Sequence, residues 1–207
     1  MPSYITPKHT ACGLLINFLV VLIAVGCTAS ISKQSYENLE VGLMLEKPGN
    51  WDLAYSERNG VIYLEAEKGI WKKDAIRIQI HGRSCLSDVQ DPNTPYNTPK
   101  EEIEWNIQRM KMLYSLESIT IIQEPITDKI GSNEATKAVI EIPAAVLEGS
   151  SDRSRGSDIS QRINMYQIRD GDKSSVMVYV FQSNNDELNV QAEEIIESIQ
   201  FNCPSAP

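Results

Sequence analysis

The 207-residue sequence is poor in histidine, cysteine and basic residues. It contains two histidines and four cysteines, and its 19 Lys and Arg face 28 Asp and Glu, which gives a net charge of −9. No G-x-S-x-G, P-loop, G-x-G-x-x-G or H-E-x-x-H pattern occurs in it. The acidic balance argues against nucleic-acid binding, which needs a basic face, and against electrostatic docking on anionic lipid. The length suits one domain plus a short additional segment.

The N-terminal segment has the features of an export signal. The run Leu14–Val25 is apolar except for Asn17, and no Asp, Glu, Lys or Arg lies between His9 and Lys33. A transmembrane helix needs about 20 apolar residues, so this run is better suited to the hydrophobic region of a secretory signal. Lys8 and His9 precede it as a thin positive region.

The run ends in Ala24-Val25-Gly26-Cys27, which resembles the lipobox of bacterial lipoproteins. We therefore predict a signal peptide over residues 1–26, lipidation of Cys27, a flexible tether over 27–36, a domain over 37–203 and a tail over 204–207. The lipid would hold the protein on the outer face of the cell membrane, or on an outer membrane if one exists. An uncleaved anchor and an ordinary signal cleaved nearby are the alternatives.

Two cysteines remain for the exported domain once the signal is removed. Cys12 lies in the signal and Cys27 is the lipidation residue, which leaves Cys85 and Cys203. An even number in an oxidising compartment predicts a disulfide between them, and two buried thiols that never meet are the alternative. We expect no metal and no cofactor, because neither cysteine lies in a C-x-x-C pair and His81 is the single histidine left.

Hydrophobic periodicity predicts an α+β domain. Alternating segments and turn signals indicate seven or eight strands, most of them joined as hairpins, and two well-signalled helices. The first helix would begin at Thr98-Pro99 with a capping box completed by Glu101, and the second would be capped by Asp186. Such a chain favours an antiparallel sheet flanked by helices, an α/β/α sandwich.

Three short motifs resemble the PsbP-like family, which is named for an extrinsic protein of photosystem II. They are Pro48-Gly49-Asn50-Trp51 after the opening strand, Ile130-Gly131-Ser132-Asn133-Glu134-Ala135 in mid-chain, and Ser198-Ile199-Gln200-Phe201 at the end. The order of elements matches over about residues 36–203. The resemblance implies an antiparallel sheet between helices and a binding or assembly module. Bacterial members are often exported lipoproteins, and nothing in this chain marks a photosynthetic partner.

Exposed aromatic residues are the best candidates for a contact with a partner. Trp51 belongs to the core in the family pattern, whereas Trp105 lies off the apolar stripe of its helix and Trp71 stands beside two lysines in a loop. Exposed aromatics often anchor interfaces, so Trp71 and Trp105 are the predicted contact residues.

The leading interpretation is a non-catalytic binding or assembly module that is lipid-anchored outside the cytoplasm and has a protein partner in the envelope. One alternative is a small envelope hydrolase or thiol enzyme that uses Cys85 and His81, since a nearby imidazole can stabilise a thiolate. The other is a purely structural envelope lipoprotein.

Overall fold

The structure is a computed structural model, and it describes residues 32–58, 60–68, 74–82, 98–114, 119–143, 160–171 and 174–202. All of these residues belong to one compact unit over residues 32–207. Cys27, Trp71, Cys85 and Cys203 lie outside the described residues. The lipidation, the disulfide and the contact at Trp71 therefore stay predictions.

In the described ranges, ten strands form two antiparallel sheets and two helices pack on them. The elements in chain order are β1 (Lys33–Asn38), β2 (Leu43–Pro48), β3 (Asp52–Ser56), β4 (Val61–Lys68), β5 (Asp74–Gly82), α1 (Pro99–Tyr114), β6 (Thr120–Ile130), β7 (Asn133–Ile142), β8 (Gln161–Asp170), β9 (Ser174–Phe181), α2 (Asp186–Glu197) and β10 (Gln200–Phe201). The strands of the seven-stranded sheet lie in the order β3-β4-β5-β9-β8-β7-β6, and the three-stranded sheet has the order β1-β2-β10.

The first face of the seven-stranded sheet carries the larger core. Successive side chains of a strand point to opposite faces, so every second residue of β5 and β9 lies on this face. Helix α2 and the three-stranded sheet cover it together. The core between the large sheet, the small sheet and α2 includes the buried residues Ile76, Ile78, Ile80, Val176, Val178, Val180, Leu43, Leu45, Leu188, Ala192, Ile195 and Ile196.

The second face carries a smaller core beneath α1. Ile103 and Ile107 of this helix pack on alternate residues of β7 and β8, among them Ala138, Ile140 and Met165. The main contacts of α1 are with β6, β7 and β8, at one side of the sheet. The predicted antiparallel sheet with two helices is therefore confirmed, but strands dominate the fold. A helix-flanked sandwich describes it only in part, because a second sheet shares one face with α2.

The three motifs that resemble the PsbP-like family all support the first face. Trp51 is 2% exposed, and its indole Nε1–H donates to Gln191 Oε1 of α2 at 2.8 Å. Asn133 Nδ2 donates to the carbonyl of Ile199 at 3.4 Å. The Ser198 hydroxyl accepts from the amide of Glu46 in β2 at 2.8 Å. These motifs hold the C-terminal segment against the sheet. Their role is therefore to stabilise the fold.

Close contact with a side chain explains one glycine of this region. A Cβ atom built on Gly82, the last residue of β5, would lie 1.8 Å from Cγ1 of Val41, which belongs to the turn between β1 and β2. Real Cβ atoms do not approach that closely, so a side chain here would displace the buried side chain of Val41. Glycine therefore allows this turn to pack against the end of β5.

One sequence prediction is wrong at the start of the domain. Residues 33–36 are predicted to lie in the tether, but they belong to β1 and pair with β2. Strand β6 runs through Pro125 to Ile130 with two register shifts. Proline is tolerated there because β6 is the edge strand of the seven described strands, so its outer N–H groups face no other described strand.

Both helices begin at capping residues. The capping box of α1 is confirmed, because the amide of Glu101 donates to Thr98 Oγ1 and the amide of Thr98 donates to Glu101 Oε2, both at 3.2 Å. Asn185, one residue before the predicted Asp186, caps α2, and its side chain accepts from the amides of Glu187 and Leu188. Neither helix is long and apolar enough to cross a membrane; this statement covers the described part of the chain.

Candidate functional site

Helix α1 presents Trp105 on the side that its core residues leave free. Ile103 and Ile107 are four residues apart and both are buried, with exposures of 0% and 2%. Trp105 lies between them in sequence and therefore on another side of the helix, since only residues three or four apart are neighbours on one face. Its side chain is 36% exposed. The expected exposure of Trp105 is thus confirmed, and its role in a contact stays a prediction.

Arg109 is the charged neighbour of this tryptophan. It follows Trp105 by one helical turn, and its Cζ atom lies 5.4 Å from the centroid of the indole ring. An Arg over a Trp face is a favourable cation–π arrangement. In the part of the chain that the structure describes, no carboxylate lies within ion-pair distance of Arg109. Lys100, on the preceding turns, instead pairs with Glu104 at 3.8 Å.

The sheet beside α1 carries polar and aromatic side chains on its second face. The Tyr179 hydroxyl of β9 donates to Asn106 Oδ1 of α1 at 3.4 Å, so this flank of the helix meets β9. Gln79 of β5 pairs with Tyr179, and Tyr63 of β4 pairs with Gln79, which continues the row away from the helix. Tyr63, Gln79 and Tyr179 are all half-buried.

We call the surface formed by Tyr63, Gln79, His81, Tyr179, Trp105 and Arg109 the aromatic corner. Its floor is the second face of β4, β5 and β9, and its wall is the flank of α1 that carries Asn106. Arg109 follows Asn106 by three residues and shares that flank. The corner combines aromatic rings, amide and hydroxyl groups and a cation.

His81 contributes a neutral ring to the aromatic corner. Its side chain is exposed as a whole, but one part meets Tyr179 edge to face, with 5.3 Å between the ring centroids and 83° between the ring planes. Burial of that part lowers the pKa of His81 below its ordinary value. The uncharged form therefore prevails near neutral pH. Cys85, its expected partner in a thiol enzyme, lies outside the described residues, so that pairing stays a prediction.

Two large apolar side chains extend the surface of α1 toward its C-terminal end. Met112 and Leu113 are 71% and 70% exposed, respectively. Met112 follows Trp105 by two helical turns, and Leu113 follows Arg109 by one, so both continue the outward side of the helix. Single exposed apolar residues are ordinary, but a continuous set is typical of an interaction surface.

Two acidic residues that the helical pattern places on the solvent side have structural roles instead. Glu102 of α1 is buried, and its Oε2 atom lies 3.4 Å from Nη2 of Arg169 in β8. Glu193 of α2 accepts from the Tyr166 hydroxyl at 2.8 Å, and its Oε1 atom lies 3.4 Å from Lys137 Nζ. Each carboxylate fastens a helix to the sheet.

The contact with Glu193 changes the chemistry of Tyr166. Its hydroxyl is buried beneath α2, and both this burial and the nearby carboxylate raise the pKa of Tyr166 well above its ordinary value. The ammonium group of Lys137 lies 5.0 Å from the centre of the phenol ring. The neutral Tyr166 hydroxyl donates a structural hydrogen bond to Glu193 and cannot act as a general base. No group of three or more His, Cys, Asp or Glu that could hold a metal ion occurs among the described residues.

Comparison with solved structures identifies the fold. The chain is similar to the solution structure of cyanobacterial PsbP (CyanoP) from Synechocystis sp. PCC 6803, with a TM-score of 0.53 and 10% sequence identity, over 85% of this chain and 96% of that one. It is also similar to the Ran-binding protein Mog1p of Saccharomyces cerevisiae, with a TM-score of 0.52 and 10% identity, over 84% and 97% of the two chains.

These likenesses cover nearly the whole of both comparison proteins, and they confirm a PsbP-like domain. At 10% identity they bear on the fold alone. No protein-family model matches the sequence, and no curated protein matches it either.

Proposed function

We propose that this protein is a non-catalytic binding module that is held at a membrane outside the cytoplasm by lipid on Cys27 and that contacts a protein partner through the aromatic corner. The observation that carries the proposal is Trp105, a large aromatic residue that the helix holds 36% exposed beside Arg109. Tryptophan and arginine are the side chains most often found at the energetic centres of interfaces.

The fold supports a binding role. Mog1p, which shares the architecture, is described as a Ran-binding protein, so this arrangement of sheets and helices is known to serve in protein recognition. The aromatic corner offers aromatic rings, amide groups and the cation Arg109, which forms no ion pair within the described part of the chain. These groups suit recognition of a protein surface better than covalent chemistry.

Photo-crosslinking in native membranes tests the partner contact. A benzoylphenylalanine residue placed at position 105 should give one discrete adduct on irradiation, because the probe would lie within the interface. Val190 is the matched control position, since it is 58% exposed and lies on α2, which packs on the other face of the sheet. Adducts absent at 105, or equal at 105 and 190, would contradict the proposal.

Intact mass of the protein from its own membrane tests the anchor and the cysteines. We expect a chain that begins at an acylated Cys27 and gains two hydrogens on reduction, as an oxidised Cys85–Cys203 pair requires. A chain without acyl groups would contradict the lipid anchor. Free thiols at both positions would contradict the disulfide and would leave Cys85, four residues after His81 in the sequence, available as a nucleophile.

A further inference from the structure

We propose that the outward side of α1 recognises a partner segment in which a carboxylate stands next to an apolar side chain. We call the four residues that would bind this segment, Trp105, Arg109, Met112 and Leu113, the α1 stripe. It shares Trp105 and Arg109 with the aromatic corner and extends it toward the C-terminal end of α1. The carboxylate would pair with Arg109, and the neighbouring apolar side chain would pack on Trp105 and Met112. This inference rests on the proposed binding function and adds to it the chemistry of the partner.

The charge of Arg109 points to the carboxylate. The chain carries an excess of nine negative charges, and several cations of the described part meet a carboxylate, as Lys33, Lys137, Arg162 and Arg169 do. Arg109 has the indole of Trp105 as its neighbour and no carboxylate within ion-pair distance among the described residues. The planar guanidinium can stack on a ring with its face while its edge donates two parallel hydrogen bonds to one carboxylate.

The spacing of the apolar residues points to a neighbouring apolar group. Positions 105, 109, 112 and 113 are separated by three or four residues, apart from the adjacent pair at the end, so they form one continuous stripe on the helix. Met112 and Leu113 are more exposed than any residue of the α1 core, at 71% and 70%. Trp, Met and Arg are the residue types that are enriched at interface centres.

The charges around the stripe favour a protein over a membrane surface. Glu101 and Glu104 are both exposed on this helix, which also carries Lys100 and Lys111, whereas helices that lie in a membrane interface carry mostly Lys and Arg on their polar side. The acidic chain as a whole is also repelled by anionic lipid. Arg109 is the cation of the stripe itself, and the acidic residues of the helix would disfavour basic segments.

Peptide selection on the full chain, purified in detergent, tests the inference. A library of random 12-residue peptides is selected on the wild type after subtraction on Trp105→Ala. We expect the enriched peptides to carry Asp or Glu beside an aromatic or aliphatic residue. Their Kd should rise at least tenfold on Arg109→Glu and less on Arg109→Lys. A peptide in which Lys replaces the acid should regain affinity for Arg109→Glu.

The control variant is Arg162→Glu. Arg162 is an exposed arginine that lies 3.7 Å from Glu141 on the sheet, so its reversal changes net charge equally but leaves the α1 stripe intact. Failure to enrich any peptide after subtraction, peptides without an acidic residue, or equal losses in Arg109→Glu and Arg162→Glu would each overturn the inference. A crosslinked partner at position 105 would still support the binding function in those cases, so the two failures can be told apart.

A membrane occupant is tested by fluorescence quenching. The full chain is reconstituted into phosphatidylcholine vesicles with brominated acyl chains, and the tryptophan emission of the wild type is compared with that of Trp105→Phe. We expect the same quenched amplitude in both, because Trp105 would face water or protein. A quenched component that is lost in Trp105→Phe would place Trp105 in lipid and would overturn the inference.

Discussion

The two faces of the seven-stranded sheet are built from the same strands but have different characters. On the first face, β5 contributes Ile76, Ile78 and Ile80, which are at most 1% exposed. On the second face the intervening residues of β5 are Arg77, Gln79 and His81, and none of them is buried. One strand therefore supplies a closed core on one side and a polar, accessible surface on the other.

The two faces therefore differ in role: the first stabilises the fold, and the second carries the residues that are accessible to a partner. The motifs shared with the PsbP-like family fasten α2 and the C-terminal strand to the first face, through Trp51, Asn133 and Ser198. Among the described elements, α1 packs on the second face mainly at one side, over β6, β7 and β8. A likeness carried by the first face therefore predicts the fold, whereas the proposed partner contact would depend on residues of the second face and α1.

The largest expected effect on the free energy of unfolding is that of Trp51. Replacing Trp51 by alanine should lower the free energy of unfolding by about 3–5 kcal/mol, because the indole is buried on the first face and its removal leaves a cavity. Urea denaturation followed by circular dichroism measures the change. Gln191→Ala is the control, since it removes only the acceptor of the indole N–H and should cost about 1 kcal/mol. A loss in Trp51→Ala no larger than that of the control would refute the assignment of Trp51 to the core.

Neighbouring residues of β5 allow a sharper comparison. Ile78→Ala should lower the free energy of unfolding by about 2–5 kcal/mol, because Ile78 lies at the centre of the first face with no exposed area. Gln79→Ala, one residue away on the second face, should change it by about 0.5 kcal/mol or less. Equal losses in the two variants would mean that the second face is as closely packed as the first.

Tyr166 should make stability depend on alkaline pH. Its pKa is raised in the folded protein, so its contribution is complete below the ordinary tyrosine value, which is about 10. Above that pH the unfolded chain loses the proton while the folded protein keeps it, and the contribution is lost as pH rises further. The stability advantage of the wild type over Tyr166→Phe should therefore shrink above about pH 10. Urea midpoints of both proteins at pH 8, 9 and 10.5 measure it, and parallel curves would contradict the role of Tyr166.

Elements with local signals were predictable from the sequence. The capping box at Thr98 and Glu101 depends on residues three apart, and it is confirmed. The motif Ile130-Gly131-Ser132-Asn133 of the PsbP-like resemblance forms the turn between β6 and β7, and Gly131 has the positive φ of 59° that such a turn requires. The burial of Trp51 followed from the resemblance to the PsbP-like family, and the exposure of Trp105 followed from the apolar stripe of its helix.

Features that depend on distant residues were not predictable. Glu102 and Glu193 stand at positions that favour solvent, but Arg169 is 67 residues from the first and Tyr166 is 27 residues from the second. Strands β1 and β10 are short, and they exist because β2 lies between them. The floor of the aromatic corner likewise depends on the register that places Tyr63, Gln79 and Tyr179 in one row, and single-strand alternation gives no signal for that register.

The smallest expected effect on stability is the most informative for function. Trp105→Ala should change the free energy of unfolding by about 1 kcal/mol or less, because the ring is partly in water already and truncation leaves no closed cavity. The same substitution should strongly weaken the peptide binding expected at the α1 stripe, since truncation of an interface tryptophan commonly costs about 2 kcal/mol or more of binding energy. Trp51→Ala is the control, because it should lower the free energy of unfolding strongly without removing a residue of the α1 stripe. A stability loss in Trp105→Ala comparable to that in Trp51→Ala would mean that Trp105 is a core residue of the second face, and the distinction between a structural face and a binding face would then fail.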